Sequence, residues 1–187
     1  MNVREYLKIL HTAEKLKDTP RHCTTSKGRT ESVAEHCWRV SLMALLLRGE
    51  FPDADMNKVV EMCIIHDLGE CFTGDIPTFN KSESDRDKES SVLKQWLNTL
   101  PAEISEDMSA LFDEIEAQKT KEAKIFKALD KLEALIQHNE SSLETWSDNE
   151  YELNLTYAFD TVEFSEWLTE LRKAVLEDTK EKLKGMS

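Results

Sequence analysis

Four side chains in this sequence have the types and setting for metal chemistry: His36, the dipeptide His66-Asp67, and Asp130. Each stands on or at the end of a segment that is otherwise apolar. At 100° per residue, Val33, Cys37, Val40, Met43, Ala44 and Leu47 fall in one arc, and His36 lies inside it. His66 and Asp67 close a run that holds Val59, Val60, Met62, Cys63, Ile64 and Ile65. In the segment 120–139 the apolar arc contains Ile125, Phe126, Leu129, Leu132 and Ile136, with Asp130 at its margin and Glu133 within it. An ionised carboxylate on a core-facing surface is costly unless it is paired or bound to a metal. Imidazole and carboxylate together suit a divalent transition ion. Taken singly, each residue also has an ordinary reading. His36 is then a hydrogen-bonded core histidine, Asp67 a cap on the next helix, and Asp130 a partner of Lys127 or Lys131.

The elements that must position these groups are helices. A first helix spans 2–17, and 18–30 reads as a loop. Ser32-Val-Ala-Glu35 has the capping-box pattern and opens a helix over 33–48, apolar nearly all round and therefore expected at the centre. A third helix covers 55–68, and Gly69, Gly74 and Pro77 break the chain over 69–80. Amphipathic helices follow at 84–99 and 103–118, then a strong one at 120–139. An acidic, less regular stretch at 141–157 leads to a last helix over 159–184. Seven or so helices without a convincing strand predict an all-α domain.

Composition supports that class. The 187 residues include only five Gly and four Pro, too few for the many turns of a sandwich or barrel. The net charge of −13 argues against a nucleic-acid polymer as partner. Its distribution is uneven. Residues 81–187 are net −11, whereas residues 1–30 carry seven basic and three acidic side chains, net +4. The cysteines at 23, 37, 63 and 71 show no zinc-knuckle spacing. His11, His22 and His138 are scattered, and His138 reads as a polar helix residue. No transmembrane or targeting segment stands out, so a reduced, cytoplasmic protein without membrane contact is expected.

Longer motifs surround the histidines: Arg29-Thr-Glu-Ser-Val-Ala-Glu-His36, His66-Asp-Leu-Gly-Glu-Cys-Phe-Thr-Gly-Asp-Ile-Pro77 and Leu129-Asp-Lys-Leu-Glu133. Over residues 7–140 the sequence resembles the HD-domain metal-dependent phosphohydrolases, in particular the 5′-deoxynucleotidases. The resemblance implies a single HD domain over 1–187, with the C-terminal part at 141–187. It would be an all-α helical bundle with a buried mononuclear metal site. It further implies His36, His66, Asp67 and Asp130 as ligands of one divalent ion, such as cobalt, manganese or zinc. Glu70 would orient or deprotonate the attacking water, with Asp67 able to share that work. Asp75 would meet the sugar hydroxyl, and Arg21 the substrate phosphate. Arg29 either contacts phosphate or pairs with an acidic residue. The expected reaction is hydrolysis of a (deoxy)nucleoside 5′-monophosphate by a homodimer. Trp96, Trp146 and Trp167 are open to an interface or a core reading.

One departure stands beside Arg21. His22 occupies the position where the deoxynucleotidases carry a Trp near the base, and 22–28 is unlike their loop. A second reading therefore remains, hydrolysis of another small phosphate ester or a cyclic nucleotide. The acidic C-terminal half, as a partner-binding surface, keeps open a third, a non-catalytic, metal-stabilised binding protein. With no Gly-Tyr-Pro motif and no extra His cluster, a cyclic-dinucleotide phosphodiesterase of the Gly-Tyr-Pro type is disfavoured.

Overall fold

A computed structural model describes residues 1–185. Helix α1 (Val3–Ala13) opens on an Asn2–Glu5 capping box and runs into a 3-10 turn at Glu14–Lys17. The expected loop at 18–30 instead contains strands β1 (Pro20–Thr24) and β2 (Thr30–Ser32), antiparallel, with Gly28 at φ +80° in the connection. The hairpin escapes a periodicity reading because, Cys23 apart, its inward side chains are polar. Arg21 Nε donates to Glu31 Oε2 across the strands at 3.1 Å. Glu31 is buried although nothing apolar marks it.

Helices α2 (Val33–Leu46) and α3 (Met56–Ile65) pack against each other. A short α4 (Glu70–Thr73) lies inside the predicted break and ends at Gly74, whose φ of +76° disfavours any side chain. Then follow α5 (Glu83–Leu97), α6 (Ala102–Ala117) and α7 (Lys121–Glu140). The acidic stretch folds as α8 (Asp148–Thr156), and the last predicted helix is split into α9 (Phe159–Val162) and α10 (Glu166–Lys184). Ser147 and Glu150 form a capping box at the start of α8. The fully buried Arg172 of α10 donates to the carbonyls of Asn154 and Tyr157 at its end, both at 2.8 Å. A cation on those carbonyls offsets their partial negative charge. The break before α10 is supplied by Ser165, whose hydroxyl accepts from Leu168 N–H.

The hub is α7, which touches α2, α3, α6, α9, α10 and β1. Two apolar cores form. One joins Val40, Ala44, Val59, Met62, Phe126 and Leu129; the other joins Leu16, Val33, Cys37, Leu68, Leu93 and Leu97. His36 sits on α2 between Val33 and Cys37 of one core and Val40 of the other. The all-α expectation holds apart from the hairpin, but α2 is not enclosed. Trp38, Leu42, Leu45 and Leu46 are exposed, Trp38 at 65% and Leu46 at 73%. The helix is apolar all round because one apolar face is uncovered, not because it is surrounded. Trp146 is buried, which settles its two readings in favour of packing.

Candidate metal centre

The packing of α2, α3 and α7 brings all four predicted ligands together. His36 Nε2 lies 3.2 Å from Asp130 Oδ1 and 3.9 Å from Asp67 Oδ2. His66 Nε2 lies 3.0 Å from Asp67 Oδ2 and 3.7 Å from Asp130 Oδ1. His66 follows α3 directly as its cap residue, so the turn after the helix sends the imidazole and the next carboxylate to the same spot. Gly69 admits α5 there: a Cβ on it would meet Glu89 Cγ at 2.8 Å.

The outer nitrogens fix the rings. His66 Nδ1 donates to the Cys63 carbonyl at 2.9 Å, and His36 Nδ1 meets Glu133 Oε2 at 2.5 Å. With each Nδ1 engaged as a donor, the Nε2 lone pairs converge in the neutral tautomer. His66 Nε2 is buried and has no hydrogen-bond partner. Bonds of about 2.0–2.2 Å to nitrogen and oxygen place neighbouring ligands roughly 3.0–3.5 Å apart. The 3.0 and 3.2 Å separations lie in that range and the 3.7 and 3.9 Å ones just outside it. With the unpartnered nitrogen and the carboxylates contacting both ring nitrogens of His36, the cluster suits a divalent cation.

Electrostatics point the same way, because the cluster attracts positive charge. Burial and Arg21 pull His36 down, yet its bonds to Asp130 and Glu133 raise it to about 10. Burial would push Asp67 up, but His66 and then His36 hold it well below the usual carboxylate range. Asp130 is likewise held low against burial by Lys127, whose Nζ donates to its Oδ2 at 2.8 Å, and by His36. The Lys127 pairing and the His36 contact coexist on different oxygens of one carboxylate.

A cavity of about 490 Å³ opens beside this cluster, lined by His66, Asp67 and Asp130 and also by Arg21, Glu70 and Asp75. Burial, with help from Asp67, Asp75 and Glu89, raises Glu70 to about 9, and its Oε2 has no partner. Asp75 Oδ2 is also buried and unpartnered, and burial raises this carboxyl. No side-chain bond of Asp75 to the turn before Pro77 is present among the described residues. Arg21 has one guanidinium hydrogen bond among the described residues, Nε to Glu31, and stays charged. Arg29 is not brought to the cavity; it is exposed and makes a bidentate pair with Glu35 at 2.9 and 2.6 Å.

Three features lay beyond the sequence reading. Glu31 reaches the site through β2, where no periodic signal marked it; burial and Glu133 raise it to about 7 against the pull of Arg21. Lys81 also lines the cavity, bonded to Glu89 at 2.5 Å. His138 is buried rather than a polar surface residue, and it meets His22 and Cys23. The histidines outside the main site are thus not all scattered.

Residues 13–172 match the family model described as HD domain. The human 5′-deoxynucleotidase HDDC2 is 33% identical over 142 residues, 73% of this chain and 68% of that protein. A 5′-deoxynucleotidase of Shewanella oneidensis is 34% identical over 120 residues, 58% of this chain and 61% of that protein. A predicted metal-dependent phosphohydrolase from Magnetospirillum magnetotacticum superposes with a TM-score of 0.84 at 25% identity, over 96% of this chain and 93% of that one. The cyanophage S-2L HD phosphohydrolase DatZ, bound to dA and one catalytic Zn²⁺, shares the fold with a TM-score of 0.58 at 20% identity, over 99% and 98%.

Proposed function

Because the chain belongs to the HD-domain family, we propose that it is a metal-dependent phosphomonoesterase of nucleoside 5′-monophosphates, with deoxynucleotides as its primary substrates. The observation that carries this reading is the convergence of His36 Nε2, His66 Nε2, Asp67 Oδ2 and Asp130 Oδ1, the last three residues lining a cavity that also holds Arg21 and Glu70 and His36 buried behind them.

His36, His66, Asp67 and Asp130 would hold one divalent ion. Such an ion lowers the pKa of water and polarises a phosphoryl oxygen. The chain's own residues do the rest. Arg21 offers its terminal nitrogens to the phosphate, since only Nε is engaged by Glu31. Glu70 Oε2 is buried and unpartnered; ionised beside the bound cation, which offsets the burial that raises this carboxyl, it would take the proton of the attacking water. As the new P–O bond forms, the bond from phosphorus to the 5′ oxygen breaks. Glu70 returns that proton to the leaving 5′ oxygen, and nucleoside and phosphate result. Asp75 Oδ2 accepts from a sugar hydroxyl. Glu31 and Glu133 orient Arg21 and His36 rather than touch substrate.

His22 motivates a second reading within the same chemistry. An imidazole is smaller than an indole, and it lines the cavity where base packing is expected. A looser base site would admit another small phosphate ester. Phosphate release from paired ribo- and deoxyribonucleoside monophosphates, with sugar phosphates alongside, separates the two.

The uncovered α2 face carries the proposal of a homodimer. Trp38, Leu42, Leu45 and Leu46 form a contiguous apolar strip of the kind that marks a protein interface. No helix among the described residues is long and apolar enough to cross a membrane.

A further inference from the structure

A second group of donors meets beside the same cavity, which His22 and His138 help to line. His138 Nε2 lies 3.3 Å from Cys23 Sγ and 3.4 Å from Glu150 Oε1. His22 Nε2 lies 3.7 Å from the same sulfur and 3.6 Å from the same oxygen. One donor atom from each of His22, Cys23 and His138 falls within 4.8 Å of the other two. Cys23, Glu150 and His138 are buried.

We propose that Cys23, His22, His138 and Glu150 form a second metal site, for a zinc-like divalent ion. Bonds of about 2.3 Å to sulfur and 2.0–2.1 Å to nitrogen set tetrahedral neighbours roughly 3.3–3.6 Å apart. The four measured separations lie in or next to that range. Thiolate with imidazole selects zinc over magnesium or calcium, which take oxygen.

The surrounding bonds orient the donors. His138 Nδ1 donates to Asn154 Oδ1 at 2.8 Å, which leaves Nε2 as the metal-facing nitrogen. Asn154 is held in turn by its amide nitrogen, which faces the Leu135 carbonyl and Asn139 Oδ1. Glu150 uses Oε2 to cap α8 on Ser147 N–H at 2.6 Å, and so turns Oε1 toward the two imidazoles. His22 Nδ1 is buried without a partner. On binding, the Cys23 thiol gives up its proton to solvent.

This site is separate from the first. His138 stands eight residues after Asp130 on α7, a rise of about 12 Å. Two-metal hydrolysis needs ions about 3.5–4 Å apart, so the second ion is not a catalytic partner of the first. With Glu150, which meets both imidazoles, drawn in beside the three mutually close donors, four protein ligands would leave no open position, as in structural zinc sites. Its place in the fold suits that role. It ties β1 to α7 and α8, and Arg21, which faces the substrate cavity, is next to His22 on β1.

Chelator-stripped protein titrated with Co²⁺ reads the two sites separately, because only a thiolate ligand gives sulfur-to-cobalt charge-transfer absorption. The chain is expected to take up two ions, with that absorption present. Cys23→Ser should bind one ion and lose the band. Glu150→Gln, which keeps a side chain able to cap α8, should keep the band but weaken the second ion at least tenfold. Asp130→Asn should lose the first ion and keep the band, so failure of the catalytic site reads differently from failure of this one. The proposal is overturned if folded wild-type protein takes up one ion without the band. A band and stoichiometry unchanged in Cys23→Ser also overturn it.

Discussion

Glu133 Oε2 meets His36 Nδ1 at 2.5 Å although the residues are 97 positions apart, and both are fully buried. This contact joins α7 to α2 and aims His36 Nε2 at Asp130. A carboxylate behind a metal-facing imidazole fixes its tautomer and raises its basicity. Glu133→Gln is therefore expected to keep the fold but weaken divalent-metal affinity by about 10–100-fold. Calorimetric titration with Mn²⁺ or Co²⁺ checks it; unchanged affinity would remove Glu133 from the account.

Arg21 is held by Glu31 through Nε alone. Arg21→Lys keeps a charge but loses the planar fork that meets two phosphate oxygens. The expected result is a fall in kcat/KM of about 10–100-fold, with metal stoichiometry unchanged. Glu31→Gln should produce a smaller fall of the same kind, since it leaves Arg21 charged but less well placed. Steady-state phosphate release distinguishes these from a general loss of folding.

Metal removal should destabilise the chain. Two buried or half-buried histidines and two aspartates face one another, and an ion that binds only the folded state adds about 2.7 kcal/mol at a hundredfold excess over its Kd. Thermal melts with chelator and with added Co²⁺ should differ by several degrees. Asp130→Asn should remove the share of that difference that the first ion contributes and leave the share of the Cys23 site.

A pH effect is expected away from the cavity. Glu122 Oε1 accepts from Asp55 N–H at 2.8 Å, tying α7 to the start of α3, and this bond lowers the Glu122 carboxyl below its ordinary value. A depressed carboxylate contributes stability that is present above the unfolded value of about 4.5 and is lost as pH falls through the folded one. Wild type should therefore melt above Glu122→Gln at pH 7, and the gap should shrink as pH falls below the ordinary carboxylate value. A gap independent of pH contradicts the assignment.

The chain's chemistry was more legible than its small elements. His36, His66 and Asp130 lie on apolar helices, so the helical period exposed them as polar residues on core faces. Arg21 and Glu31 lie on a two-stranded hairpin whose inward face meets a charged cavity, and there the alternation that marks a strand is absent. His138 reads in the sequence as a polar helix residue; its burial comes from α8, which folds over it through the Ser147–Glu150 capping box and Arg172. The outward apolar face of α2 was read as core, because periodicity cannot separate a surrounded helix from one with an uncovered side.

That face gives its own prediction. Leu45→Glu, on a residue 45% exposed, should leave the monomer folded and shift the particle from two chains to one in light scattering. Retention of a dimer would place the interface elsewhere.

The central claim is that the His36, His66, Asp67 and Asp130 cluster, with Glu70 beside it, hydrolyses a nucleoside 5′-monophosphate. The direct measurement is inorganic phosphate released from a panel of deoxynucleoside 5′-monophosphates by metal-loaded protein, by Asp130→Asn and by Glu70→Ala. Metal-dependent release by the wild type, lowered about a thousandfold or more in both variants, is the predicted result. No release from any nucleotide by protein that demonstrably binds the ion, or turnover unchanged in Glu70→Ala, would contradict it.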